Sequence, residues 1–125
     1  MHRILLREVV IDVPSAQFDV ARAFWAGALD ARPRQLEKYP EFVSLNSPAA
    51  LPHVGMQDVG DAAARFHLDI ESDDVEAEVA RLVRLGAVEV ARPGGWVVLQ
   101  DPAGLLLCVL PPESDEFAER SREVE

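Results

Sequence analysis

The stretch Arg65-Phe66-His67-Leu68-Asp69-Ile70 decides how this 125-residue chain is organised. Apolar and polar residues alternate in it, so a β-strand here places the apolar side chains on one face and His67 and Asp69 on the other. The next residues, Ser72-Asp73-Asp74-Val75-Glu76, have the acidic composition of a helix start. Asp73 is the predicted N-cap, with Glu76 three residues later as in a capping box. A strand and a helix therefore begin a new structural unit in the middle of the chain.

The residues after this strand complete the unit. Apolar residues recur at helical spacing from Val75 to Val83, which predicts a helix that ends at Gly86. Beyond it, strand-forming residues are separated by the turn segments Gly94-Gly95 and Asp101-Pro102-Ala103-Gly104. Three strands are predicted, at residues 87–91, 96–100 and 105–110.

The same order of elements is predicted before residue 60. A strand at residues 7–13 precedes an amphipathic helix at residues 16–29, for which Ser15 is the predicted cap. Three further strands are predicted, at residues 34–37, 41–45 and 53–59. The break at Gly60-Asp61 thus separates two βαβββ modules, at about residues 4–60 and 61–112.

Two such modules predict an α+β fold. Several strands joined by short turns follow each helix, which favours a mixed sheet over a doubly wound parallel one, and neither first strand leads into a Gly-rich nucleotide loop. The length predicts a single domain over residues 1–112. The tail at residues 113–125 is acidic and is predicted to be a solvated helix or a frayed end. The two sheets are expected to curl around a shared cleft that binds a ligand.

The composition excludes several classes of partner. The formal net charge of −10 disfavours nucleic acids and anionic membrane surfaces, because both attract basic proteins. No apolar run approaches the roughly 20 residues of a membrane span, and the first residues lack a signal-peptide core. The one cysteine, Cys108, cannot form an intrachain disulfide, which fits a reducing compartment. We therefore expect a cytoplasmic protein with a small-molecule ligand.

Four segments, in order along nearly the whole chain, carry a resemblance to a known family. They are Val9-Val10-Ile11-Asp12-Val13, Ala23-Phe24-Trp25-Ala26-Gly27-Ala28-Leu29, His67-Leu68-Asp69-Ile70 and Asp101-Pro102-Ala103-Gly104. Together they resemble the glyoxalase-like branch of the vicinal oxygen chelate superfamily, which includes glyoxalase I, extradiol dioxygenases, fosfomycin-resistance enzymes and bleomycin-binding proteins. The resemblance implies two βαβββ modules that form a U-shaped mixed sheet around a ligand or metal, and a homodimer.

The resemblance also implies where a metal site would lie. Metal-dependent members draw ligands from the first and last strand of each module, and these places fall near Glu8, Gln57, His67 and Cys108. Cys108 lies four residues past Gly104, where metal-dependent relatives have a glutamate. Glutamine is a poor anionic ligand and cysteine prefers softer metals. A set of Glu8, His67 and Cys108 would therefore hold zinc or a similar divalent metal with an open position, or the protein binds no metal.

Each candidate residue also has a purely structural explanation. His67 is a metal ligand or general base, or a half-buried histidine hydrogen-bonded on the cleft face. Glu8 is a cleft carboxylate acting as ligand or base, or an exposed strand residue. Cys108 is a ligand or nucleophile, or a packed thiol among apolar neighbours. Gln57, Asp69 and Trp96 are assigned to substrate binding; Asp69 could instead orient His67 or be solvated, and Trp96 could line the cleft mouth.

Three functions fit these features. The first is a metal-dependent lyase, isomerase or dioxygenase in which the metal chelates oxygens of a small substrate. The second is a metal-free protein that sequesters an antibiotic or metabolite, as bleomycin-resistance proteins do; the charge of −10 would attract a cationic drug. The third, a regulatory domain with a vestigial cleft, is the weakest. True glyoxalase I activity is not expected, because the four ligands of that enzyme are not all present.

Overall fold

The computed structural model describes residues 1–48, 51 and 53–125. Within these residues it has nine β-strands and three α-helices, which form two compact units. The N-terminal unit is Glu8–Phe66, and the C-terminal unit combines Met1–Arg7 with His67–Glu125. The α+β class predicted from the sequence is confirmed.

The N-terminal unit has the βαβββ order. The first strand, β1, covers His2–Val13, and its part from Glu8 onward belongs to this unit. The elements that follow are a 3₁₀ turn (Ser15–Gln17), α1 (Phe18–Ala28), β2 (Arg32–Gln35), β3 (Phe42–Asn46) and β4 (Val54–Asp58). Strand β3 pairs antiparallel with both β2 and β4, and β4 pairs parallel with β1. The apolar face of these strands packs against Phe18 and Trp25 of α1 around a core of Ile11, Val43 and Met56.

The C-terminal unit repeats this topology. It contains β5 (Arg65–Ser72) from His67 onward. The elements that follow are α2 (Val75–Arg84), β6 (Val88–Ala91), β7 (Val97–Gln100) and β8 (Leu106–Leu110). Again the last three strands pair antiparallel, and the last strand, β8, is parallel to the first, β5. Val79 of α2 packs on Val97, Leu99 and Val109. The same strand pairing in both units confirms the two βαβββ modules.

Two predicted helix caps differ from the structure. The N-cap of α2 is Asp74, whose carboxylate accepts a hydrogen bond from Ala77 N at 3.0 Å, while Asp73 accepts one from Arg3 N at 2.7 Å. The N-cap of α1 is Gln17, and the hydroxyl of Ser15 donates to Asp58 instead of accepting a hydrogen bond from the helix backbone. The cap of α2 is of the predicted residue type but lies one position later, and the predicted caps Asp73 and Ser15 bond to neighbouring strands instead.

The acidic tail is not a frayed end. It forms α3 (Phe117–Arg120) and β9 (Arg122–Val124), and β9 pairs antiparallel with His2–Ile4 of β1. Ser121 between them is fully buried and accepts a hydrogen bond from Arg3 Nε at 2.8 Å. A helix is present, as one of the two predicted alternatives has it, but the strand β9 was not predicted, because strand pairing with a segment about 120 residues away leaves no local pattern. Within the described part of the chain, no helix combines the length and apolar character that crossing a membrane requires.

Candidate functional site

Strand β5 has an unusual buried polar face. His67 and Asp69 are each 6% exposed and Glu71 is fully buried, although polar side chains are normally on the solvated face of a strand. The register pairs Leu68 with Leu107 and Ile70 with Val109, and the latter residues pack in the core beneath α2. The polar residues therefore lie on the sheet face opposite α2.

Cys108 joins this face from the neighbouring strand. In the parallel register of β5 and β8 it is the partner of Asp69, so both side chains project to the same side. His67 Nε2 lies 3.2 Å from Asp69 Oδ1. One ligand atom each from His67, Asp69 and Cys108 all lie within 4.8 Å of one another. We refer to these three residues as the donor triad.

Glu71, the next residue on the same face, has a different environment. Its carboxylate accepts hydrogen bonds from the backbone N–H groups of Glu113 and Ser114, at 2.7 and 2.8 Å, and from the Ser114 hydroxyl at 2.6 Å. Arg7 Nη1 lies 3.3 Å from it. These contacts use the carboxylate to anchor the chain that follows β8. Glu71 is thereby distinguished from the donor triad as a structural residue.

The other predicted site residues lie elsewhere. Glu8 and Gln57 belong to the N-terminal unit, where Gly55 faces the Glu8 side chain; a Cβ at position 55 would be 3.1 Å from Glu8 Oε1. Gln57 pairs with Asp12 on β1 and with Phe42 on β3. Trp96, in the C-terminal unit, lies against Gly94 in the β6–β7 turn, with its ring 3.5 Å from where a Cβ of Gly94 would be. Their assignment to catalysis and substrate binding stays a prediction.

The donor triad has the chemistry of a zinc site. Imidazole nitrogen, carboxylate oxygen and thiolate sulfur are the ligands that Zn²⁺ takes in proteins, at bond lengths of about 2.0–2.3 Å. Ligand atoms around such an ion lie roughly 3–4 Å apart, so the largest separation here would need to shorten by only about 1 Å. A cation would also compensate the negative charge of the buried Asp69 carboxylate. The donor triad therefore fits a divalent metal; His67 and Cys108 belong to the predicted ligand set, and Asp69 stands in it where Glu8 was predicted.

The family model described as glyoxalase-like domain matches residues 8–110. The chain belongs to this family. The match spans both βαβββ modules, ends at the last residue of β8 and excludes α3 and β9. Among curated proteins, no match to this glyoxalase-like protein was found.

Solved structures share the fold at low sequence identity. A hypothetical protein from Bacillus halodurans C-125 is 14% identical, with a TM-score of 0.64, and the match covers 90% of this chain and 96% of that one. A Legionella pneumophila structure titled NAD-dependent benzaldehyde dehydrogenase is 14% identical, with a TM-score of 0.61, over 85% and 98% of the chains. The methylmalonyl-CoA epimerase of Mycobacterium tuberculosis is 18% identical, with a TM-score of 0.56, over 90% and 91%. Because these names differ in chemistry, the likeness shows the glyoxalase-like fold and no single activity.

From the sequence, two members of the donor triad, His67 and Cys108, were assigned as ligands, and the third, Asp69, was given another role. Asp69 was assigned to substrate binding because His67 and Asp69 alternate on one strand, and its proximity to Cys108 depends on a pairing between residues 39 positions apart. The burial of Glu71 was missed as well. A signal was present, since three polar residues at positions 67, 69 and 71 share one strand face.

Proposed function

We propose that this glyoxalase-like protein binds a small molecule on the β5–β8 face of its C-terminal unit and uses a divalent metal held by the donor triad to act on it as a lyase, isomerase or dioxygenase. The observation that carries the proposal is the proximity of His67, Asp69 and Cys108, whose ligand atoms lie within 4.8 Å of one another. A bound zinc ion would supply Lewis acidity to oxygen atoms of the ligand. The epimerase among the structural relatives supports isomerase chemistry as one option.

The residues of the chain have distinct tasks in this proposal. His67 and Asp69 would each supply one ligand atom, and the 3.2 Å between His67 Nε2 and Asp69 Oδ1 is an ordinary separation for two ligands of one ion. Cys108 replaces a carboxylate with a softer donor, which favours zinc over magnesium or calcium. Glu8 is proposed as general base because the resemblance places a cleft carboxylate at this position. Gln57 and Trp96 are proposed to contact the ligand.

Metal content tests the proposal. Protein purified without chelators, or reconstituted with zinc sulfate and desalted, should hold about one zinc per chain by elemental mass spectrometry. His67→Ala, Asp69→Asn and Cys108→Ser should each weaken zinc binding at least 10-fold, because each removes or neutralises one of three donors.

Two matched controls separate ligation from general damage. His53→Ala and Asp61→Asn remove the same functional groups outside the donor triad and should leave zinc affinity unchanged. The metal site would be contradicted if all three donor variants still bound zinc. It would also be contradicted if none of the preparations contained zinc.

A metal-free binding protein is the second candidate function. Its support is the partly exposed apolar residues Val98 and Leu106 on the same sheet face, which offer binding area without a metal, together with the net charge of −10. A thermal-shift screen of chelator-treated protein against cationic glycopeptide antibiotics of the bleomycin class and aromatic metabolites addresses it. Stabilisation by such a compound, equal in the wild type and in His67→Ala, would favour this function over metal catalysis.

Homodimer formation and a cytoplasmic location are part of the proposal. Support for a partner surface comes from large apolar side chains on α1, where Val20 is 76% exposed and Phe24 is 62% exposed. Support for the location comes from the single cysteine. Sedimentation equilibrium measures the oligomeric state directly.

A further inference from the structure

The sheet face that carries the donor triad continues into apolar residues. The register aligns Asp69 with Cys108, Cys108 with Val98, and Val98 with Ala91, so these side chains form a row across β5, β8, β7 and β6. Polar character therefore ends at Cys108, and the row continues with apolar side chains.

A second row runs beside the first. Leu106 is the partner of Gln100, and Gln100 is the partner of Val88 on β6. Leu106 lies one residue before the Leu107–Leu68 pair, which puts it next to His67 on β5. We call Val88, Ala91, Val98 and Leu106 the apolar strip. Gln100 lies among them and supplies one amide.

The two faces of this sheet differ in accessibility. On the face covered by α2, Leu99 and Val109 are fully buried and Val97 is 3% exposed. On the other face, Val88 is 62% exposed and Val98 and Leu106 are partly exposed. Exposed apolar residues next to a few convergent polar groups are typical of a ligand site.

We infer that the ligand of the donor triad is a molecule with a metal-binding oxygen head group and an apolar body that lies along the apolar strip. This inference rests on the proposed function for the head group and adds the chemical class of the rest of the molecule. Strands are about 4.8 Å apart, so the strip extends roughly 10 Å from β8 to β6. The body is therefore an aromatic ring system or a medium-length alkyl chain, and Gln100 accommodates one polar substituent on it.

A homologous series of alkyl hydroxamates tests the inference. The head group is constant, so titration calorimetry of zinc-loaded protein from acetohydroxamate to dodecanohydroxamate isolates the contribution of the chain. The dissociation constant should fall by up to about fourfold per added methylene, and then level off once the chain exceeds the roughly 10 Å length of the strip.

Val88→Ser is the informative variant, because residue 88 is exposed and its replacement spares the core. It should weaken octanohydroxamate binding several-fold and leave acetohydroxamate binding unchanged. Val83→Ser is the matched control, since Val83 is an exposed valine on α2 at 46% exposure and should change neither. Equal effects of the two substitutions would contradict the assignment of the strip.

The design separates this inference from the proposed function. Zinc and acetohydroxamate binding with no dependence on chain length would overturn the apolar strip and leave the metal site intact. The same hydroxamates are also used to displace 1-anilinonaphthalene-8-sulfonate from metal-free protein, where the strip predicts the same dependence on chain length. Dye displacement that depends on chain length, in a protein that retains no zinc, would overturn the metal site alone. Absence of dye binding, or displacement that does not change with chain length, would overturn the apolar strip.

Discussion

Asp69 and Glu71 are two residues apart on β5, and both are buried, yet their neighbours differ. Three N–H or O–H groups of Glu113 and Ser114 saturate the Glu71 carboxylate. Asp69 instead lies beside His67 and Cys108, two residues that are themselves metal ligands in many proteins. At the scale of single residues, the hydrogen-bond donors around each carboxylate thus distinguish the structural role of Glu71 from the ligand role proposed for Asp69.

Replacing Glu71 should lower the free energy of unfolding. Glu71→Ala leaves the N–H groups of residues 113 and 114 and the Ser114 hydroxyl without their acceptor, which should lower the free energy of unfolding by about 3 kcal/mol. Urea unfolding followed by circular dichroism measures this. Glu113→Gln, at a side chain that is 40% exposed, is the control and should cost less than about 1 kcal/mol. Similar losses in both variants would contradict the anchoring role of Glu71.

At the scale of elements, the end of α1 contains a residue in a strained conformation. Asp30 has a φ of 49°, in the left-handed region that glycine adopts without cost. It follows the C-cap Leu29, and Ala31 N donates to Ala26 O at 2.9 Å, as in a helix terminated by a left-handed residue. An acidic side chain here is also unfavourable next to the helix C-terminus.

Asp30→Gly should therefore stabilise the protein. Removing the left-handed strain and the negative charge should raise the free energy of unfolding by about 0.5–1 kcal/mol. Thermal unfolding measures the gain. Asp30→Asn removes the charge and keeps a side chain, so the difference between the two variants isolates the stability cost of the left-handed backbone conformation. A lower midpoint for Asp30→Gly than for the wild type would contradict the strain.

At the scale of the whole molecule, paired buried charges should govern the response to acid. Glu78 on α2 is fully buried; burial raises the pKa of its carboxyl, but hydrogen bonds from Arg81 at 2.7 Å and from His2 at 2.8 Å outweigh this and lower the pKa below 4.5. A second carboxyl, Asp58, also has a lowered pKa because Ser15 and the Gly60 N–H donate to it.

Stability should consequently decline in acid. Because the pKa of Glu78 is lower in the folded state, its contribution is fully present above pH 4.5 and is lost as the pH falls through the folded-state value. Urea unfolding from pH 7 to pH 3 should show this decline for the wild type. Glu78→Gln should be less stable by about 1–3 kcal/mol at pH 7 and should change less with pH. Glu119→Gln, on the surface of α3, should follow the wild type; a Glu78→Gln curve parallel to the wild type would contradict the assignment.

Much of the fold could be predicted because local patterns encode it. Alternation in β1 and β5, helical spacing in α1 and α2, and the turn at Asp101–Gly104 locate most elements, with ends that differ from the structure by a few residues. The αL glycine at position 86, with a φ of 115°, ends α2 at the predicted place. The helix caps were predicted less well, because Asp73 accepts a hydrogen bond from Arg3 on β1 and Ser15 donates one to Asp58 on β4.

The sequence alone determined the two βαβββ modules and the shared face of His67 and Asp69, since both follow from the spacing of neighbouring residues. The tertiary structure decided which residue would join that face, because the parallel register of β5 and β8 aligns Asp69 with Cys108 across 39 residues of chain. It also decided the fate of the tail, where β9 pairs with β1. Strand register and pairing depend on hydrogen bonds between distant segments, and these leave no periodic signal in the sequence of either segment.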